Sequence, residues 1–129
     1  MKKILYILSI GFVLAACSSN DSIEVGQKTS MMVEPVFNAG TVLRGEIINA
    51  KFIVKNTGDY PLVIGDVHGS CSCTVAEKPS DMIQPGEEGV IKANVNTENF
   101  SGGVIAKSVT IVANTEPSVT EVVIKAKVK

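Results

Sequence analysis

Apolar side chains recur at every second residue through most of this chain. Ile48, Ala50, Phe52 and Val54 alternate with Asn49, Lys51, Ile53 and Lys55. The same period returns in Ile91, Ala93 and Val95, in Val109, Ile111 and Ala113, and in Val122, Ile124, Ala126 and Val128. Successive side chains of a strand point to opposite faces, so such a sequence folds by pressing one face of each strand onto a shared core. Turn chemistry punctuates the pattern: Asn56-Thr57-Gly58-Asp59 closes one strand and Pro85-Gly86 precedes another. Further strands are expected over residues 32–37, 62–67 and 71–75, and no stretch of helical period competes with them.

Seven short strands in about a hundred residues predict an all-β fold, a seven-stranded antiparallel immunoglobulin-like β-sandwich. About twenty inward aliphatic side chains, each contributing roughly 1.5 to 3 kcal/mol on full burial, offset much of the ordering entropy. No cofactor is expected. The Cys, Trp, Cys hallmark of antibody domains is missing, since the chain has no Trp. An up-and-down barrel shares the alternation and is the alternative topology.

The first residues carry a different signal. Lys2 and Lys3 precede a largely apolar run over residues 4–16 that ends in Leu14-Ala15-Ala16-Cys17. A basic start, a short apolar middle and small residues at a cleavage point describe a secretory signal peptide, too short for a comfortable bilayer span. Leu-Ala-Ala-Cys resembles the bacterial lipobox, which implies cleavage before Cys17 and lipidation of its thiol. Two or more acyl chains, at about 0.8 kcal/mol per buried CH₂, hold a protein stably on a membrane. Ser18 after the cysteine resembles an outer-membrane destination in the cell envelope. Residues 17–30 are polar and aperiodic, the composition of a flexible tether. Within them Asp21-Ser22-Ile23 resembles a bacterial O-glycosylation sequon with Ser22 as acceptor, although a plain solvated linker has the same composition. The expected organisation is a signal peptide at 1–16, a lipidated tether at 17–30 and one β domain at 31–129.

The 12 basic and 13 acidic residues leave a net charge of −1, without the basic footprint that nucleic acid or anionic lipid requires. No nucleic-acid partner is expected. Gly-x-Ser-x-Gly, His-Glu-x-x-His and a phosphate-cradling glycine loop are all missing, so the chain is not expected to be an enzyme. His68-Gly69-Ser70-Cys71-Ser72-Cys73 is the one cluster with possible chemistry, and it has three readings. Cys71 and Cys73 can form a disulfide in an oxidising compartment, but extended geometry sets their Cα atoms roughly 6.5 to 7 Å apart and a local bulge is required. Two thiolates and the His68 imidazole can bind Cu(I) or Zn²⁺, with Met31, Met32 or Met82 as an extra donor, provided a turn at Gly69 brings His68 round. In the plainest reading the cysteines are small buried hydrophobes in a central strand and His68 lies in a loop.

Five blocks in order then resemble a bacterial domain-of-unknown-function family, number 1573. They are Phe37-Asn38-Ala39-Gly40-Thr41-Val42, Phe52-Ile53-Val54-Lys55-Asn56-Thr57-Gly58-Asp59, Pro61-Leu62-Val63-Ile64, Ser70-Cys71-Ser72-Cys73-Thr74-Val75 and Ile83-Gln84-Pro85-Gly86-Glu87. The resemblance implies an exported domain, often a lipoprotein, with an immunoglobulin-like fold akin to PapD-like and Hydin-type domains. It implies no activity. Where the family usually has Cys-Gly-Cys-Thr, Ser72 replaces the glycine of any turn that needs positive φ. Two functions from different classes follow. One is a non-catalytic structural or protein-interaction module, tethered to the membrane and meeting another envelope protein through loops or an open sheet edge, with Gly102, Gly103, Lys107 and Lys125 as edge features. The alternative is a soft-metal or thiol-redox protein centred on Cys71, Cys73 and His68.

Overall fold

The computed structural model describes residues 27–129. The expected signal peptide, Cys17, Ser22 and most of the tether lie outside the described residues. The strands are β1 (Met31–Val33), β2 (Val36–Val42), β3 (Ile47–Asn56), β4 (Ile64–Gly69), β5 (Thr74–Glu77), β6 (Glu88–Asn96), β7 (Gly103–Ala113) and β8 (Val119–Val128). They form two four-stranded sheets, ordered β1-β3-β6-β5 and β2-β8-β7-β4.

Among the described residues the strand count is eight, not seven, because the strand expected over residues 32–37 is two. β1 pairs antiparallel with β3, whereas β2 crosses to the other sheet and pairs parallel with β8. The break falls at Glu34-Pro35, where proline has no N–H to continue a ladder. The Val123 N–H donates to the Pro35 carbonyl at 2.8 Å and so begins the second pairing. The fully antiparallel expectation therefore fails at this one pair. Within β2 the register slips between Asn38 and Thr41. Gly40 absorbs the slip at φ 71°, a conformation costly for any residue with a Cβ, and its N–H donates to Asn38 Oδ1 at 3.0 Å.

The alternation read from the sequence is the alternation of burial. All ten residues of β3 alternate exposed and buried, and Ile91, Ala93, Val95, Val122, Ile124, Ala126 and Val128 all face inward. Nineteen buried hydrophobic residues, from both sheets and from the isolated Leu62–Ile83 bridge, form one cluster, close to the expected number. Phe37 of β2 meets Phe52 of β3 edge to face at 6.1 Å, which joins the two sheets through the largest core side chain.

The strand registers define two ends. One holds the last residue of β3, the first of β4 and the last of β7; the other holds the Ile47↔Asn96, Thr74↔Val95 and Gly103↔Val128 pairs. The described chain starts at the first end. Thr29, assigned above to the tether, is buried there: its N–H donates to the Asn114 carbonyl at 2.9 Å and its Oγ1 to Asn56 Oδ1 at 2.8 Å. The folded body thus takes in Thr29 and Ser30, whose carbonyl accepts from the Thr57 N–H, and begins before residue 31.

Asn56 is the centre of this end. It is fully buried, and its Oδ1 also accepts from the Gly58 N–H at 3.0 Å. Its Nδ2 donates to the carbonyls of Tyr60 at 2.7 Å and Ile83 at 2.9 Å. One side chain therefore ties together the N-terminal segment, the loop after β3 and the loop before β6, with its polar atoms satisfied as burial demands.

Candidate functional site

The Ser70–Cys73 turn lies at the far end, opposite the point where the N-terminal segment joins the body. It carries the chain from β4 in one sheet to β5 in the other. Ser70 N–H donates to the Ser108 carbonyl at 2.9 Å, and the Ser108 N–H donates to Ser70 Oγ at 3.3 Å, which fixes the turn to β7. On the other side the Asn96 N–H donates to the Cys73 carbonyl at 2.9 Å, which fixes it to the end of β6. A third bond, from Thr74 N–H to the Cys71 carbonyl at 3.1 Å, closes the turn on itself.

Within this turn Cys71 and Cys73 are joined by a disulfide, with Cα atoms 5.2 Å apart. The expected strand over residues 71–75 begins only at Thr74, so the geometry that would have held the sulfurs apart does not apply. That separation is within the range an ordinary bridge spans. Ser72 makes the turn without a left-handed backbone: among the described residues no residue other than glycine has positive φ. The reading of both cysteines as buried hydrophobes in a central strand is also corrected. They are half-buried, they lie in a turn, and β5 is an edge strand.

Thr74 sits beneath the bridge. Its side chain is buried, and its Oγ1 lies 3.6 Å from Cys71 Sγ and 3.7 Å from Cys73 Sγ. Gly69 makes room for it: a Cβ at that position would stand 2.6 Å from Thr74 Cβ. The last residue of β4 and the first of β5 thus hold a hydroxyl against both sulfurs. A loop closed over three residues stabilises by only about 1.6 kcal/mol on the chain-entropy account, about a third of what a hundred-residue loop would give.

His68 does not join the sulfurs. It lies in β4 and not in a loop, exposed on the outer face, with Nδ1 2.8 Å from Asp66 Oδ2. Its cross-strand neighbour is Thr110. Among the described residues no group of three or more His, Cys, Asp or Glu side chains is placed to hold a metal. Met31 and Met32, the suggested extra donors in β1, pair with Asn56 and Lys55 near the opposite end of the body, and Met82 adjoins Ile83 there. The expected edge features move as well, because β7 and β8 are interior strands of their sheet. Lys107 instead places its Nζ over the Phe100 ring, 4.9 Å from the centroid. Among the described residues the edge strands without a further strand beside them are β1, β5, β2 and β4.

Surface depressions lie on the outer faces. One of about 320 Å³ runs along Asn38, Thr41, Val104 and Lys127, and another of about 400 Å³ lies between Asn49, Lys51, Lys92 and Asn94. Leu43, Ile47, Val75 and Val104 are strongly exposed apolar side chains at the end that carries the disulfide or at the strand ends beside it, while Met32, Ile53 and Val119 are exposed to a comparable degree toward the N-terminal junction. Sequence reasoning missed the Thr74 hydroxyl; its signal was the threonine directly after Cys73.

Two sheets of β-strands, with the first expected strand divided between them, make an immunoglobulin-like β fold. The chain belongs to the family described as Protein of unknown function (DUF1573), which matches residues 20–128. It is similar in structure to a protein of unknown function from Porphyromonas gingivalis W83, with TM-score 0.70 and 19% identity over 84% of this chain and 51% of that one. The chain therefore spans about half the length of that protein. The PapD-like domain 7 of human CEP192 matches with TM-score 0.57 and 9% identity, covering 96% of this chain and 98% of that domain. The secreted serine protease VesC from Vibrio cholerae matches with TM-score 0.58 and 10% identity over 80% of this chain and 24% of the protease. At these identities the likeness is one of fold alone. No curated protein matches the chain.

Proposed function

We propose that this protein is an envelope lipoprotein, held at the outer membrane through acylated Cys17, whose eight-stranded β-sandwich is a non-catalytic module for binding another envelope protein. The observation that carries this reading is the opposition of the two ends. The N-terminal segment joins the body at Thr29, while Leu43, Ile47 and the disulfide turn occupy the end facing away from it. A tether on one side leaves the other free to meet a partner, and exposed apolar side chains are the ordinary material of such contacts. The edge strands of the two sheets, unpaired among the described residues, offer a second mode, strand addition by an extended segment.

Two measurements test the proposal. Radiolabelled palmitate should enter the wild-type chain and not a Cys17→Ala variant; failure to label the wild type removes the tether. A photo-crosslinking residue at Leu43 should capture one envelope protein in stoichiometric yield, whereas the same residue at Lys28 should not. Equal capture at both positions, or none at Leu43, defeats the interaction reading.

A further inference from the structure

We propose that the Cys71–Cys73 disulfide is a thiol–disulfide exchange site, in which the Thr74 hydroxyl donates to whichever sulfur leaves as thiolate. This goes beyond the interaction reading and stands independently of the lipid anchor. The pair is only partly buried, in a turn at the end of the body, so an incoming thiolate can approach without the core opening. A bridge between residues two apart closes too small a loop to be a major staple of the fold. The turn is held from β7, from β6 and by its own Thr74-to-Cys71 bond, none of which uses a sulfur atom. Breaking the bridge therefore leaves the fixtures of the turn in place.

Thr74 supplies the chemistry. Exchange accelerates as the leaving thiolate is stabilised, and a hydroxyl within reach of both sulfurs can donate to either. Burial keeps that donor in position, and the missing Cβ at Gly69 is what permits it to lie there. The co-reactant is a dithiol. Its first thiolate attacks one sulfur, the S–S bond breaks, and the other cysteine departs as a thiolate that takes up a proton. The second thiol of the donor, once deprotonated, attacks the mixed disulfide and releases the remaining cysteine. Two electrons and two protons pass from the dithiol, oxidised to a disulfide, to Cys71 and Cys73.

The test uses the full chain and dithiothreitol as the dithiol probe. Aliquots are quenched by acid and alkylated, and mass spectrometry of the peptide spanning residues 71–73 reads that pair apart from Cys17. Circular dichroism is followed in parallel. The wild type should reduce completely while its β signal is unchanged. Thr74→Val, which keeps the shape and removes the hydroxyl, should reduce about tenfold more slowly. Thr74→Ser should restore most of the rate, which separates the hydroxyl from any packing defect in the valine variant. Reduction only in step with loss of the β signal, or equal rates for wild type and Thr74→Val, would overturn the proposal.

Discussion

Replacing Asn56 by alanine tests the reading of the tether-side end most directly. Four groups lose a partner: the Thr29 hydroxyl, the Gly58 N–H and the carbonyls of Tyr60 and Ile83. Two of them have recourse. The Ile83 carbonyl still accepts from the Leu62 N–H at 2.8 Å, and the Thr29 hydroxyl can rotate. The Gly58 N–H and the Tyr60 carbonyl lose the one partner assigned to them. A buried group left unpaired costs about 1 to 3 kcal/mol, and both lie in a partly exposed loop, so the lower half of that range applies to each. Adding a small cavity beside the core gives an expected loss of about 3 kcal/mol. With a urea slope of about 1.5 kcal/mol/M for a domain of this size, the midpoint falls by about 2 M. Equilibrium urea unfolding of the wild type and variant, followed by circular dichroism, reads this directly. Thr29→Val removes a single donor while Asn56 keeps the Gly58 N–H, and should cost about 1 kcal/mol. If Asn56→Ala costs no more than Thr29→Val, the four-way tie does not hold this end together.

Cys71→Ser with Cys73→Ser should lower stability by less than about 2 kcal/mol, the scale of a three-residue loop, in the same urea assay; a loss twice as large would make the bridge a structural staple. Gly69→Ala sets a Cβ 2.6 Å from Thr74 Cβ and should destabilise by about 1 to 3 kcal/mol, read as a lower melting temperature. Glu116 titrates below the usual carboxylate range because the Lys28 ammonium is hydrogen-bonded to it and adds coulombic attraction. The pair favours the folded state above the unfolded carboxylate's pKa and loses that effect as pH falls through the folded value. A carboxylate NMR titration should therefore show a lowered midpoint in the wild type and an ordinary one in Lys28→Met. Both side chains are exposed, so salt should weaken the shift.

The core was legible in the sequence and the pairing was not. Burial in β3, β6 and β8 follows directly from apolar residues spaced by two, because the pleat converts sequence parity into a face. Parity says nothing about which sheet a strand joins, so the division of the first strand stayed hidden, although Pro35 was its visible cause. Parity also extends the strand pattern over residues 71–73, where hydrogen bonds to Ser108 and Asn96, both remote in sequence, make a turn instead. In the sequence Asn56 has the look of turn chemistry alone; its burial depends on Thr29, Tyr60 and Ile83 converging from three segments, which no local window displays. His68 and Asp66 share a face as alternation requires, but their distance from the sulfurs is set by the turn after Gly69.

The parallel pairing of β2 with β8 bears on how this body carries load. Residue 27 leaves from one end, and Lys129 follows β8 out of the other. A pull between those two points loads the Thr29 bonds and the β1–β3 ladder first and then slides β2 along β8, whose rungs resist as a set and are not unzipped singly. Two strands far apart in sequence, β2 and β8, thus brace the body along its length.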